Sequence, residues 1–203
     1  MKTSIKTITK RIFDLVIIIL SSPFLLTLIL AIVPISFILQ GSPVIFSQSR
    51  PGKDQKLFTL YKFRTMELTD SNEVDDTTKR ITGLGQFLRK TSLDELPSIF
   101  NVIKGEMSLV GPRPLLPEYL NKYNDFQKRR HEVLPGITGL AQISGRNAIS
   151  WEERFKYDVE YVENNSLIID IAIIFRTITR IFSSKDINHG EDKTMPKFEG
   201  RNE

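Results

Sequence analysis

The most constraining feature of this 203-residue chain is an apolar run over residues 15–39 that contains no charged side chain. A helix of roughly 25 residues would measure about 37 Å, which exceeds the roughly 30 Å hydrocarbon core of a bilayer. A secretory signal is not indicated, because its apolar region would be about 7–15 residues long and end at a small-residue cleavage site. The run predicts a membrane element, and the lack of a second such run excludes polytopic transporters and polytopic transferases.

Two structures of this run remain open. One is a single helix, kinked at Pro23 and Pro34, that crosses the bilayer once. The other is a re-entrant helix–break–helix that enters and leaves by the same face. Pro23 removes a backbone donor, and Ser21 and Ser22 can return hydrogen bonds to nearby carbonyls and stabilise a bend. Lys and Arg flank the run on both sides. Cytoplasmic flanks of membrane helices are usually enriched in these residues, so a single span would place one cationic flank on the non-cytoplasmic side.

Composition narrows the chemistry further. The chain has no cysteine and two histidines, which excludes disulfides and thiolate zinc sites and argues against a histidine-rich metal site. A metal would have to be a hard cation on carboxylate oxygens, with Mg²⁺ the obvious candidate. The net charge of +4 favours anionic headgroups or phosphate-bearing substrates. No nucleic acid is expected, because no recognition-helix, zinc-finger or aromatic-stacking pattern accompanies the charge.

The remaining chain predicts a small β-hairpin followed mainly by helices. Strands are expected at 44–46 and 57–64, with the turn at 50–52. Helical spacing or composition then predicts helices at 81–89, 96–103, 118–132, 151–163 and 167–182. The last of these is apolar but punctuated by charges, which is typical of a helix that lies in the membrane interface or packs in a core. Proline and glycine predict loops at 110–117 and 135–146.

Asp94 and Glu95 are adjacent carboxylates at the start of a predicted helix, and two interpretations stay open. As a structural feature, Asp94 caps the helix, or Ser92 and Glu95 form a capping box. Pro97 favours Asp94 as the N-cap, since Pro97 then falls at the third helical position, where no backbone donor is needed. As a chemical feature, a carboxylate at a helix N-terminus can attack phosphorus, while its neighbour binds Mg²⁺ or handles a proton.

Attack of a carboxylate on a phosphate requires nearby cations, because the two anions repel. The chain offers six candidates: Lys62, Arg64, Arg89, Lys90, Arg113 and Arg146. Arg113 is the best placed of them, because Pro112 and Pro114 limit where its guanidinium can go.

The motifs occur in one order along nearly the whole chain. They are Lys10-Arg11-Ile12-Phe13-Asp14, Ser22-Pro23, Gln48 with Arg50-Pro51-Gly52, Tyr61-Lys62-Phe63-Arg64, Arg89 with Ser92-Leu93-Asp94-Glu95-Leu96-Pro97, Gly111-Pro112-Arg113-Pro114, Pro135-Gly136-Ile137-Thr138-Gly139 and Gly145-Arg146. In this order they resemble the small monotopic phosphoglycosyl transferases, a family of bacterial sugar transferases. Residues 147–151 are most similar to the Campylobacter-type enzymes that initiate protein N-glycosylation.

The resemblance implies a re-entrant helix bent at Ser22 and Pro23, with both ends on the cytoplasmic face of a bacterial inner membrane. It implies transfer of a sugar 1-phosphate from a UDP-sugar to undecaprenyl or another polyprenyl phosphate, with release of UMP and with Mg²⁺ as cofactor. Asp94 would be the nucleophile that forms a covalent phosphosugar intermediate and Glu95 its partner, and both would hold the metal. The cations expected to bind substrate phosphates are Lys62, Arg89, Arg113 and Arg146.

The expected fold is α+β: a re-entrant membrane helix at 1–40, a cytoplasmic and interfacial catalytic domain with amphipathic helices at 41–185, and a polar, weakly ordered tail at 186–203. Similarity favours an N-acetylated sugar, with UDP-di-N-acetylbacillosamine the best guess. The reaction would be the first membrane step of glycoconjugate synthesis, with downstream glycosyltransferases as partners. Two rival functions stay open: a membrane-anchored interaction protein in which Asp94 only caps a helix, and a glycosyltransferase that moves the sugar without its phosphate.

Overall fold

The computed structural model describes residues 2–68, 80–145, 149–182 and 197–200. Its α-helices and β-strands are, in chain order, α1 Lys2–Gln40, β1 Ile45–Pro51, β2 Leu57–Phe63, α2 Gly83–Thr91, α3 Ile99–Lys104, β3 Ser108–Val110, α4 Asp125–Lys128, β4 Gly136–Thr138, α5 Leu140–Ser144, α6 Trp151–Asn164 and α7 Leu167–Phe182. Short 3₁₀ segments lie at Lys53–Gln55, Leu93–Ser98, Pro117–Lys122 and Arg129–Glu132. A mixed fold of helices and small sheets is therefore confirmed.

Helix α1 continues without interruption through both of its prolines for 39 residues. Pro23 has no N–H to offer the carbonyl of Ile19, and the Ser22 hydroxyl donates to that carbonyl instead, at 2.8 Å. The Ser21 hydroxyl donates to the Ile17 carbonyl at 2.7 Å. The expected serine bonds are thus confirmed, whereas the expected break in the helix is not observed. The re-entrant course of this helix stays a prediction.

Within the described residues, one helical segment is long and apolar enough to cross a membrane by length and composition alone. It is Ile5–Gln40, 36 residues long; its most apolar 18-residue window has a mean hydropathy of 2.8, and little of that window is buried in the protein. An exposed helix of this composition requires an apolar environment other than the protein core.

The first half of α1 packs on the globular domain. The Arg11 guanidinium donates to the carbonyls of Val102 and Ile103, at the end of α3. Asp14 accepts a hydrogen bond of 2.7 Å from the hydroxyl of Ser108 in β3. One turn further along, Ile18 is buried in the cluster that holds Leu60, Val102 and Met107.

The last part of α1 packs on the same domain. Ile32 is buried with Phe63 of β2 and Leu88 of α2. The Arg64 guanidinium donates to the carbonyls of Gln40 and Gly41, where the helix ends. Between the two contact regions, none of residues 19–27 is buried.

Strands β1 and β2 form an antiparallel hairpin with Gln48 opposite Leu60 and Arg50 opposite Phe58. The predicted turn at 50–52 was wrong by a few residues, because pairing with β2 extends β1 to Pro51 despite its polar side chains. The turn is closed by the Gly52 N–H, which donates to the Lys56 carbonyl at 2.8 Å.

The predicted loop at 135–146 instead contains β4 and α5. Strand β4 pairs parallel with β3, in a register that sets Val110 beside Thr138. A Cβ atom at Gly136 would lie 2.1 Å from the backbone nitrogen of Gly111, so only glycine permits this approach. The pairing holds the following loop, Pro112-Arg113-Pro114, against β4.

The predicted helix at 118–132 is broken into three short segments. Tyr123 and Asn124 have extended backbones, and Asn124 starts a new helix through a reciprocal capping box with Gln127. A charged composition is typical of both helix interiors and helix caps, so it did not reveal that one helical segment ends before Tyr123 and the next begins after Asn124.

The tail was expected to be weakly ordered, but its described residues 197–200 lie against the domain. Phe198 is 6% exposed in an aromatic core cluster with Tyr119, Tyr123 and Phe155, and the Trp151 ring packs at its edge. The Lys122 ammonium donates to the Phe198 carbonyl at 3.0 Å. Phe198 therefore belongs to the core of the domain.

Candidate active site

Asp94 and Glu95 lie in the 3₁₀ segment Leu93–Ser98, which leads directly into α3. Ser92 precedes the segment in a left-handed conformation with φ 58°, and no side-chain cap bond is made there. Both capping predictions were therefore wrong, since Asp94 lies inside the helical segment and the Ser92 and Glu95 side chains make no cap bond; only the backbone N–H of Glu95 donates to the Ser92 carbonyl, at 3.3 Å. The same Ser92 ends α2, so a sharp reversal between two helices replaces the expected cap.

The Glu95 carboxylate is held by two cations. Its Oε1 accepts from Lys62 Nζ at 2.6 Å and from an Arg113 nitrogen at 2.7 Å. Burial opposes ionisation of this carboxyl, but Arg113 and Lys62 together outweigh it and lower the pKa of Glu95 to about 2. Glu95 is therefore a fixed anion that orients two cations.

Asp94 has a different environment although it is the next residue. Among the described residues its nearest cation is Lys62, whose Nζ lies 4.0 Å from Asp94 Oδ2. Burial, and then the negative charge of Glu95, raise the pKa of Asp94. Two adjacent carboxylates with pKa values pushed in opposite directions are typical of groups with different chemical roles.

The 3₁₀ segment is fastened to β2, and this places Asp94 and Glu95 beside Lys62. Ser98 donates from its hydroxyl to the Tyr61 carbonyl at 3.0 Å. The Asn101 amide donates to the Thr59 carbonyl at 2.7 Å. The sequence reasoning missed Ser98 and Asn101; both are almost fully buried polar residues on a helix that otherwise shows apolar spacing.

Arg113 is positioned through its backbone by a buried ion pair. The Arg130 guanidinium donates to the Arg113 carbonyl at 2.6 Å and lies 2.8 Å from Asp158 Oδ2. The Arg130 and Asp158 side chains are 1% and 2% exposed. The sequence reasoning missed this pair. Its one local signal is an aspartate on the apolar face of α6.

The other predicted cations have different positions. The Arg89 Nε donates to the Thr65 hydroxyl at 2.9 Å, and its charge is close enough to lower the pKa of Asp94 against the effect of burial. The Arg64 guanidinium donates to backbone carbonyls at the end of α1, so it is not a phosphate ligand in this arrangement. Lys90 is exposed on the surface. Arg146 lies outside the described residues.

A cleft opens beside Glu95 and is lined by Arg50, Lys62 and Arg113 on its charged side. Its other walls include Leu60 and Ile137. Three cations around one cleft suit an anionic ligand. Arg50 was not among the site residues selected from the sequence.

Comparison with known proteins adds independent findings. The model of the bacterial sugar transferase family matches residues 5–184. The protein named uncharacterized sugar transferase EpsL from Bacillus subtilis is 47% identical over 95% of this chain and 96% of its own length. The undecaprenyl-phosphate galactose phosphotransferase of Salmonella typhimurium is 41% identical over 83% of this chain. The UDP-glucose:undecaprenyl-phosphate glucose-1-phosphate transferase of Klebsiella pneumoniae is 41% identical over 89% of this chain.

The relatives differ in length. The chain spans nearly all of EpsL, but only 39% of the Salmonella protein and 42% of the Klebsiella protein. The range of this chain that the family match covers, residues 5–184, includes Asp94, Glu95, Lys62 and Arg113.

Proposed function

The chain belongs to the bacterial sugar transferase family, and on this premise we propose that it transfers a sugar 1-phosphate from a UDP-sugar to undecaprenyl phosphate and releases UMP. The names of the Salmonella and Klebsiella relatives describe transfers of this kind, with galactose and glucose as the sugars. The observation that carries the proposal is that the two adjacent carboxylates have different partners. Glu95 is neutralised by Lys62 and Arg113, whereas Asp94 has Lys62 at 4.0 Å.

In the proposed mechanism Asp94 attacks the phosphorus that carries the sugar. A bond forms between an Asp94 carboxylate oxygen and this phosphorus, and the anhydride bond to UMP breaks, so UMP leaves with the electron pair. An oxygen of the lipid phosphate then attacks the same phosphorus, and the bond to Asp94 breaks. The raised pKa of Asp94 makes its carboxylate a better nucleophile, and Lys62 and Arg113 offset the repulsion between anions.

Mg²⁺ fits the donor set as a metal shared with substrate phosphates. No group of three or more acidic or histidine side chains that could hold a metal occurs among the described residues. Mg²⁺ sites in phosphoryl transfer, however, use one or two carboxylates together with phosphates and water. Asp94 has Lys62 Nζ 4.0 Å from its Oδ2, beyond hydrogen-bond distance, and both cation contacts of Glu95 fall on Oε1. When bound, the metal would neutralise phosphate charge.

The contacts of α1 support a re-entrant arrangement in the membrane. Residues near Asp14 and residues near Gln40 both contact one globular domain, and a domain cannot lie on both sides of a bilayer. On this proposal both ends of the apolar run lie on the same face, with Ser22 and Pro23 in the stretch between them where no residue is buried. By the family resemblance, we propose the cytoplasmic face of the bacterial inner membrane.

Exposed apolar side chains outside α1 support contact with the interface. Helix α7 buries Asp170 and Ile173, but leaves Ile168 80% exposed and Phe175 66% exposed. Helix α3 exposes Phe100 in the same way. A helix with one face packed and an apolar face uncovered is typical of a protein at a membrane surface. The active site then lies where a lipid phosphate and a soluble nucleotide can both arrive.

The sugar is proposed by similarity alone. Residues 147–151 favour UDP-di-N-acetylbacillosamine and thus initiation of protein glycosylation, whereas the named relatives act on galactose and glucose. All three UDP-sugars therefore belong in the test.

The decisive experiment is to incubate the full chain in lipid nanodiscs with each UDP-sugar, undecaprenyl phosphate and Mg²⁺, and to identify the nucleotide released. UMP is expected; UDP would indicate a glycosyltransferase that leaves the phosphate behind. Release of neither nucleotide with any sugar would contradict the proposal and favour the interaction protein.

The nucleophile is tested by omitting the lipid acceptor. Protein incubated with a UDP-sugar labelled in the sugar is expected to retain the label covalently. Asp94→Asn should abolish both labelling and turnover, whereas Asp125→Asn, at an exposed aspartate of α4, should change neither. Full activity of Asp94→Asn would rule out the assignment.

A further inference from the structure

Arg50 lies in the cleft beside Glu95 with no role in the mechanism given above. The antiparallel register sets Arg50, Gln48, Leu60 and Lys62 on one face of the hairpin, since directly opposed residues share a face. An Arg50 nitrogen donates to the Gln48 side-chain oxygen at 2.7 Å. Gln48 lies between Arg50 and Lys62 along this face, so the bond directs the Arg50 guanidinium towards the site.

Arg50 lacks a carboxylate partner within the described part of the chain. No acidic side chain there lies within ion-pair distance of it, and its buried Nε has no hydrogen-bond partner. Glu118 is a carboxylate whose charge acts on the Arg50 guanidinium, but no ion pair joins the two. A half-buried guanidinium with an unused donor is costly unless a ligand satisfies it.

The cleft also contains more positive than negative charge. Its lining includes the three cations Arg50, Lys62 and Arg113 but one carboxylate, Glu95. Burial, and then the like charge of Arg113, lower the pKa of Arg50 to about 10. An anion between Arg50 and Arg113 would relieve this repulsion and balance the excess charge.

We propose that Arg50 and Arg113 form a second phosphoryl subsite, which binds a phosphate group other than the one attacked by Asp94. The inference rests on the proposed function and adds a subsite to it. Four residues along β2 separate Lys62 from Phe58, the partner of Arg50, which corresponds to roughly 13 Å. Arg50 therefore enters the cleft from a different position along the hairpin than Lys62 does.

Two substrates could supply this phosphate. In the donor it would be the phosphate that leaves as part of UMP, and in the acceptor it would be the phosphate of the lipid. Both present the same oxygens to an arginine fork, which binds them through charge-assisted hydrogen bonds. The ligands must therefore be tested separately.

The test measures dissociation constants without turnover, on the full chain in detergent, for UMP and for a short-chain polyprenyl phosphate. Arg50→Gln is expected to weaken at least one of them by roughly 10- to 100-fold. Arg50→Lys should restore part of the loss, because it keeps the charge but not the fork. The matched control is Arg129→Gln, at an exposed arginine paired with Glu163.

Each outcome decides the proposal. Weaker UMP binding identifies the nucleotide phosphate as the ligand, and weaker lipid binding with unchanged UMP binding identifies the acceptor phosphate. If both constants stay within about twofold of the wild-type and Arg129→Gln values, the subsite is excluded. If Arg50→Gln does not fold, Gln48→Ala is used instead, because it removes the acceptor that orients Arg50. It must then weaken the binding of UMP or of the polyprenyl phosphate.

The proposed function is judged separately, by UMP release from the wild-type protein. Loss of ligand binding in Arg50→Gln with no turnover in the wild type would support the subsite and contradict the reaction. Normal turnover of the wild type together with unchanged binding in Arg50→Gln would support the reaction and exclude the subsite.

Discussion

The Arg130 guanidinium donates a hydrogen bond of 2.6 Å to the backbone carbonyl of Arg113. Arg130 is itself held by Asp158, and its guanidinium lies over the rings of Tyr123 and Phe155. The buried ion pair between Arg130 and Asp158 therefore fixes the backbone of Arg113, whose side chain binds Glu95.

Removing one partner of the Arg130–Asp158 ion pair should lower the free energy of unfolding strongly. Asp158→Asn would leave the Arg130 charge buried without compensation, and we expect a loss of about 3–5 kcal/mol in the free energy of unfolding. Urea unfolding in detergent measures it. Glu163→Gln breaks the exposed ion pair with Arg129 and should cost less than about 1 kcal/mol. Equal losses for the two variants would contradict the positioning role of Asp158.

Glu95 should make stability depend on acid pH. Its pKa is lowered to about 2, so the stabilisation is fully present above the ordinary value of 4.5 and is lost as pH falls through about 2. The difference corresponds to about 3 kcal/mol. The free energy of unfolding of the wild type should therefore fall more steeply than that of Glu95→Gln between these values. Parallel pH profiles would show that Lys62 and Arg113 do not hold the carboxylate.

The topology of α1 can be read by thiol labelling, because the natural chain contains no cysteine. Lys6→Cys, before the apolar run, and Lys56→Cys, after it, place single thiols at exposed positions. Both should react with a membrane-impermeant reagent only from the cytoplasmic side in oriented vesicles. Asp125→Cys, on the domain, marks that side. Labelling of Lys6→Cys from the opposite side would establish a single span.

The C-terminal Phe198 should contribute to stability as a core residue. Phe198→Ala removes a ring that contacts Tyr119, Phe155 and Trp151, and we expect a loss of about 3–5 kcal/mol. The midpoint of thermal unfolding should fall accordingly. Glu199→Gln changes a neighbour that is 77% exposed and should leave the midpoint almost unchanged. A similar midpoint for both variants would mean that the segment does not hold the aromatic cluster.

Local patterns were enough to identify much of the site. The apolar run, the β-hairpin, helices α2, α6 and α7, the adjacent carboxylates and the cations Lys62 and Arg113 all follow from spacing and composition over short windows. These features are visible because a membrane helix, an alternating strand and a pair of acids are each defined by neighbouring residues.

The sequence by itself therefore predicted a membrane-associated α+β protein with Asp94 and Glu95 as its candidate reactive carboxylates. Only the tertiary structure decided that Glu95 is neutralised while Asp94 is not, that Arg130 and Asp158 hold Arg113, and that both ends of α1 contact one domain. The physical reason is distance along the chain: Lys62 and Glu95 are 33 residues apart and Asp14 and Ser108 are 94 apart. Such contacts depend on how strands and helices pack, and no local window encodes them.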